Sequence, residues 1–392
     1  MRLPILPKVV LIHPLAGIDW KKNSAISAVE IARHLDNYFE VTLLSGSECG
    51  SFSLPIKSLP RSGIYNLTHC PPMVRMLRGW LTRSEVALEH LTSFIPCLAY
   101  LLKNPVDLIL PQNGYGSLLV AACVRAIKGT PILFTEYNGL KDGKRYLKHD
   151  LSLKPDRLIV LNPTVAKSAR QINPELPINV IPYGIDLTEF SPEGKAIVTG
   201  LPQPNIICVT ALERDRERRI ELTIRAVSRL PHASLLICGD GTDRDYFQDF
   251  GDRLLGTRRF QIKSFAYAQM PQVYRSANVF TCATKQESHG LKYIEAMASG
   301  LPVVVPDDAV RRYLIGDGGI ACDVSDLDIY TKSLQNVLQN YWYWQHKPRQ
   351  NALRFGWENI SLLHYQAVLK TIANASNKSA RLHHSQTQSP TD

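Results

Sequence analysis

Two carboxylates stand eight positions apart in "ESHGLKYIEAMASGLPVV", which begins at Glu287 and carries the second acid at Glu295. The apolar run 279–283 reads as a buried strand and 302–305 as another, with a helix between them starting at about Gly290. A helix that starts at the carboxyl end of a parallel strand presents free amides and the positive end of its dipole, a ready seat for an anion. The amides concerned are those of His289, Gly290, Leu291 and Lys292, and a glycine lets a ligand approach the backbone closely. Helical periodicity assigns Leu291, Ile294 and Ala298 to the core and Lys292, Glu295 and Ser299 to the opposite, polar face. Helix rise then separates the two acids by ~8–10 Å, one on each side of the positive helix end. That arrangement suits a ligand with an anionic centre and hydroxyls on both flanks, such as a sugar nucleotide. The plainer alternative is a surface pair of Lys292 with Glu295 and a solvated loop acid at Glu287.

These residues need a frame. In residues 1–188 short apolar runs at 9–13, 40–44, 107–110, 131–135, 157–161 and 179–181 alternate with helical patterns. The pattern lapses near residue 186 and then restarts, with strands expected at 206–209, 234–238, 260–262, 279–283 and 302–305. Strand–helix alternation of this kind predicts parallel sheets covered on both faces. The fold class is therefore α/β, with two tandem Rossmann-like domains: 1–188, and 189–352. A helix over 353–373, expected to cross back to the first domain, and a polar tail over 374–392, expected to be disordered, complete the chain. Ligands of doubly wound sheets bind outside the carboxyl ends of the strands.

The formal net charge is +10, which favours anionic partners. Residues 57–83 carry Lys57, Arg61, Arg75, Arg78 and Arg83 with apolar residues between them and no acid. They read as a solvated helix on the core or, alternatively, as a peripheral contact with an anionic membrane. No basic–aromatic RNA motif or helix-turn-helix pattern supports a nucleic-acid partner. No apolar run is long enough to span a bilayer, and Pro4, Pro7 and Lys8 interrupt the apolar start where a signal peptide would need continuity. The eight cysteines show no C-x-x-C spacing, so no metal ion is expected, and a reduced cytoplasmic setting fits them.

The opening stretch resembles the signature of the retaining glycosyltransferases of GT-B fold, family four, whose pattern runs E-x-F-G, four residues, E-A-M-A-x-G-x-P-V-V. Both acids, the glycines, the E-A-M-A run and the P-V-V strand are present; His289 stands where the family usually has Phe. "VIPYGIDLTEFSP" (180–192) is similar to the family's interdomain segment, and "FGWENISLLHYQAVL" (355–369) to its closing helix. The resemblance runs from about 156 to 369 and is weaker before that.

The resemblance implies a GT-B fold, the two domains facing a central cleft, and transfer of a sugar from a nucleotide-diphosphate sugar to an acceptor hydroxyl with retention of configuration. It implies that Glu295 binds the ribose hydroxyls and Glu287 a hydroxyl of the donor sugar. His289, Gly290, Leu291 and Lys292 would hold sugar and diphosphate by their amides. The family also places an Arg and a Lys five residues apart after the first strand of the second domain. In "ALERDRERRIELTIRAV", Arg214 and Arg219 have that spacing, while counting back from the helix selects Glu213 and Arg218. This turn is a diphosphate clamp in one reading and a solvated loop in the other. A Gly-rich loop after the first strand would approach the diphosphate, with Gly17 as its glycine. Where some members place a His near the reacting carbon, this chain has Glu136 and Tyr137. Glu136 would bind an acceptor hydroxyl or serve as a buried structural acid. No cofactor is implied beyond the donor. The acceptor would be lipid-linked, a polysaccharide or a small molecule. A second reading is a non-catalytic homologue or partner subunit that binds sugar nucleotides through the same residues.

Overall fold

The structure, a computed structural model, describes residues 6–18, 23–56, 84–112, 114–140, 143–215, 217–287 and 289–386, with only the backbone given over 84–92 and 378–386. The basic stretch 57–83 therefore lies outside the described residues.

The chain divides into two units. The first holds β1 (Lys8–His13), α1 (Asn23–Leu35), β2 (Glu40–Ser45), β3 (Ser53–Pro55), α2 (Ser84–Lys103), β4 (Leu108–Pro111), α3 (Gly114–Lys128), β5 (Leu133–Glu136), α4 (Arg145–Leu151), β6 (Arg157–Val160), α5 (Pro163–Ile172) and β7 (Ile178–Val180). Its strands run β3-β2-β1-β4 and β5-β6-β7, and a parallel bridge between Ile109 and Ile132 joins the two sets. Every pairing is parallel.

The second unit holds β8 (Asn205–Val209), α6 (Ile220–Ser228), β9 (Ser234–Cys238), α7 (Arg244–Leu255), β10 (Phe260–Lys263), α8 (Met270–Arg275), β11 (Val279–Thr281), α9 (Leu291–Ala298), β12 (Val303–Pro306), α10 (Ala309–Ile315), β13 (Gly319–Cys322), α11 (Leu327–Gln339), α12 (Tyr341–Trp344) and α13 (Lys347–Leu353). The sheet order is β10-β9-β8-β11-β12-β13. In both units the chain fills one half of the sheet and then reverses, so the order turns at β1/β4 and again at β8/β11. The two loops that leave such a switch point diverge, and the space between them is where doubly wound sheets bind ligands.

Covered sheets need strands that are apolar on both faces. In β8, Ile206 and Cys208 pack into one core and Ile207 into another on the opposite face. The all-buried Val run of β12 does the same. Helix starts are fixed by side-chain caps where the sequence supplies an acid. Asp308 accepts the amides of Val310 and Arg311, both at 2.9 Å, and Asp326 those of Asp328 and Ile329.

Residues 183–204 contain no strand or helix but are tied down: Arg275 donates to the carbonyls of Ser191 and Lys195, and Arg349 to those of Leu187 and Phe190. The last helix, α14 (Trp357–Gln386), begins in the second unit and counts with the first from Ile360 onward. It continues through residues 374–386, where composition predicts a disordered polar tail; no proline or glycine interrupts that stretch, so the helix runs on. Among the described residues no helix is long and apolar enough to cross a membrane, and all seven described cysteines are free.

Candidate functional site at the switch point of the second unit

The loop that leaves β11 and the helix α9 that follows it form one side of the β8/β11 switch point. Gly290 opens the helix with φ +63°, and a Cβ there would lie 2.3 Å from Leu314 Cδ1. The glycine is thus required by its left-handed backbone and by the packing beneath it. The carboxylate of Glu287 reaches back over this start. It accepts the amides of His289 at 3.3 Å and Gly290 at 3.2 Å, the hydroxyl of Tyr293 at 3.3 Å, and the ammonium of Lys292 at 3.3 Å. Burial alone would raise the pKa of Glu287. Lys292, the Gly290 and His289 amides and Arg311 outweigh it and hold the group down to about 2.

Lys292 pairs with Glu287, and its Nζ also donates to Cys282 Sγ at 3.3 Å. Burial opposes its charge, but the Cys282 sulfur, the Tyr293 hydroxyl and the Glu287 carboxylate more than offset that, so the ammonium sits above the usual lysine range. This excludes the surface pair of Lys292 with Glu295 and the solvated Glu287. Two of the four amides considered for an anion, those of His289 and Gly290, are engaged by the protein's own carboxylate. Those of Leu291 and Lys292 have no partner among the described residues.

Glu295 differs from the expected polar face. It is 5% exposed, and Ser299 is buried as well, because α9 is covered all round from Tyr293 to Ser299. The hydroxyl of Tyr267 donates to Glu295 Oε1 at 2.9 Å and that of Tyr274 to Oε2 at 2.8 Å. Burial raises the pKa of Glu295, the two tyrosines lower it, and the net shift is upward. Tyr274 is buried in the core, whereas Tyr267 is half-exposed, so one side of the carboxylate is sealed and the other is covered by a ring at the surface. His289 packs its ring 5.5 Å from that of the buried Tyr183.

Arg311 holds the loop from below, and sequence reasoning missed it. It is fully buried and donates to the carbonyls of Thr284 and Lys285, to the Tyr293 hydroxyl at 3.2 Å and to the carboxylate of Asp308. The signal was the spacing Asp308-x-x-Arg311, which on one helical turn allows a cap and a cation to meet.

On the β8 side, the three arginines part company. Arg219, itself at φ +51°, donates Nε to the carbonyl of Ala283 at 2.7 Å and a second nitrogen to Ser325. It is the one brought to the loop after β11. Arg218 pairs with Glu213 at 3.1 Å and Asp215 at 3.7 Å. Arg214 lies over the ring of Tyr246, 4.0 Å from its centroid. The amide of Lys285 donates to Glu217, which ties the two loops together.

The first unit holds the remaining candidates. Gly17 follows β1 with φ +79°, and a Cβ there would meet Ser47 Oγ at 2.6 Å. Glu136 ends β5, fully buried, and its carboxylate accepts the amides of Asn138 at 2.6 Å and Gly139 at 3.1 Å, so it caps its own turn. Burial pushes its pKa up to about 7, against those two amides. Asp150 on α4 is equally buried, and desolvation together with the charge of Glu136 pushes it to about 8.

Residues 203–340 match the family model described as glycosyl transferases group 1. The phosphatidyl-myo-inositol mannosyltransferase of Mycolicibacterium smegmatis is 29% identical over 210 residues, 50% of this chain and 53% of that protein. The alpha-monoglucosyldiacylglycerol synthase of Acholeplasma laidlawii is 25% identical over 174 residues, 41% of this chain and 44% of that protein. The chain thus spans about half the length of these curated relatives. Among solved structures, sucrose-phosphate synthase from Thermosynechococcus elongatus superposes with a TM-score of 0.69 at 18% identity, covering 94% of this chain and all of the other. Anabaena HepE in complex with UDP and glucose gives 0.65 at 15%, covering 92% and 99%. Residues 203–340 thus resemble the glycosyl transferases group 1 family, and the fold of the chain is GT-B.

Proposed function

We propose that this protein is a retaining, metal-independent glycosyltransferase that moves a sugar from a nucleotide-diphosphate sugar to an acceptor hydroxyl. The observation that carries the reading is the pair of acids at and within α9, Glu287 just before its start and Glu295 inside it, held in different surroundings. Glu287 is kept ionised by Lys292 and two amides, and Glu295 is buried under two tyrosine hydroxyls. An ionised carboxylate accepts from sugar hydroxyls; a carboxylate sealed on one side accepts a ribose diol from the side that Tyr267 covers. Between them the amides of Leu291 and Lys292, the Lys292 ammonium and Arg219 supply positive potential for the diphosphate. Its departure is helped by groups already oriented before the reaction. The leaving phosphate accepts the proton of the attacking hydroxyl on the same face, which balances the step and needs no protein nucleophile.

The relatives named above include one that acts on phosphatidyl-myo-inositol and one that makes a glucosyldiacylglycerol, which supports a lipid-linked acceptor. HepE has been solved with UDP and glucose, which supports a nucleotide sugar as donor. The test is turnover of a panel of sugar nucleotides, in the presence of a chelator, by the wild type and by Glu295→Ala. Chelator-resistant release of nucleoside diphosphate that the substitution abolishes supports the proposal. Tight donor binding without turnover assigns the protein to the non-catalytic homologues, and no binding of any donor overturns the reading.

A further inference from the structure

The second unit carries an aromatic surface that the donor site does not use. In α12, "YWYW", Trp342 is 75% exposed, Tyr341 55% and Tyr343 46%, while Trp344 turns inward and packs in the core. One buried indole therefore fixes the turn, and three large rings stand outside it. Soluble surfaces seldom expose contiguous aromatic rings without a partner.

The stretch of sequence that carries the rings is basic. No acid occurs between Asp328 and Glu358, a stretch that contains Lys332, His346, Lys347, Arg349 and Arg354. Lys347 sits over the ring of Tyr343, its Nζ 3.5 Å from the centroid. Arg349 and Arg354 donate to main-chain carbonyls, to Phe190, Ala298 and Leu187 in one case and Tyr313 and Leu314 in the other. Their guanidinium donors are thus taken up by carbonyls, and Arg349 also lies within the field of Glu193.

We propose that Tyr341–Trp344 is a membrane-interface anchor that inserts Trp342 and Tyr341 among the headgroups of an anionic bilayer, with Lys347 and its neighbours facing the lipid phosphates. Tryptophan and tyrosine rings favour the headgroup level, where one end is apolar and the other wet. Each lysine or arginine near an anionic leaflet adds attraction that falls off within a Debye length. A second copy of this chain fits the face poorly, because a two-fold contact would set the basic stretch 329–357 of one copy against that of the other. Single-stranded nucleic acid fits poorly as well, because Lys347 already covers the Tyr343 face on which a base would stack. The anchor shares no residue with 57–83, and vesicle binding is read without turnover, so it stands or falls apart from the proposed transfer reaction.

The full chain is mixed with vesicles of phosphatidylcholine alone or with phosphatidylglycerol, and binding is followed by co-sedimentation and by quenching of tryptophan emission with bromine-labelled lipid. The proposal expects binding that needs the anionic lipid, weakens with salt, and falls at least about fivefold in Trp342→Ala, with the melting temperature unchanged because the ring lies outside the core. In Trp342→Phe, which keeps an aromatic ring, vesicle binding is largely retained while the quenched component of the emission disappears. The proposal is overturned if Trp342→Ala binds vesicles as the wild type does, or if Trp342→Phe leaves the quenching intact. It is also overturned if the substitution abolishes only self-association or only binding to a single-stranded RNA oligomer.

Discussion

The ammonium of Lys292 lies 3.3 Å from the carboxylate of Glu287, across the first turn of a helix whose start Glu287 itself caps. The pair is mostly buried, so each partner depends on the other for its charge. Lys292→Met is expected to destabilise the second unit by about 3 kcal/mol and to raise the Glu287 pKa from about 2. The depressed group contributes stability that is present above its ordinary value of 4.5 and is lost as pH falls toward 2. Urea unfolding at neutral pH and at pH near 3 checks both points: the gap between wild type and variant narrows in acid.

Arg311→Lys is expected to fail as a conservative change. A lysine cannot reach the Thr284 and Lys285 carbonyls, the Tyr293 hydroxyl and Asp308 together, as the guanidinium fork does. The expected cost is about 2–3 kcal/mol in unfolding free energy, from buried carbonyls left without donors. Donor KM rises as well, since the loop that carries Glu287 loses its support. Equal stability of Arg311→Lys and wild type in urea would refute this role.

The two tyrosines on Glu295 should separate in their effects. Tyr274→Phe removes a donor from the sealed side and is expected to cost about 1–2 kcal/mol. Tyr267→Phe acts on the half-exposed side, leaves the melting temperature nearly unchanged and alters donor affinity instead. Thermal melts paired with donor titrations of both variants decide it.

Much of this site could be read in the order of residues, and the rest could not, for a physical reason. The strand–helix alternation, the helix start at Gly290 and the acid just before it follow from local patterns within a few residues. Periodicity, however, says which side chains share a helical face and not what covers that face. Periodicity puts Glu295 on the polar face, yet Tyr267 and Tyr274, 28 and 21 positions away, close over it. The Arg311 contacts likewise reach 26 and 27 positions back to Lys285 and Thr284. Lys292 had two acids within reach, and only the fold shows that it takes Glu287.

In the first unit, Glu136 and Asp150 are both buried and both raised, to about 7 and about 8. Groups held above their ordinary values bind more protons folded than unfolded, so their contribution to stability is greatest in acid and is lost as pH rises through 7 to 8. Asp150→Asn removes one of them and relieves the other. Its stability relative to wild type should therefore improve steadily from about pH 4 to pH 8, by at most about 1.4 kcal/mol per pH unit for each proton involved. Parallel stability curves for the two proteins would contradict this.

The central claim is that a sugar nucleotide is held at the carboxyl ends of β8 and β11 by Glu287, Lys292 and Glu295. The most direct measurement is calorimetric titration of nucleoside diphosphates and their sugars into the wild type, Glu295→Ala and Lys292→Met. The account predicts one site, with binding weakened at least about tenfold in each variant, as expected for losing a hydrogen-bonded or charged partner. Binding that both variants retain unchanged, or no binding of any nucleoside diphosphate, would contradict it.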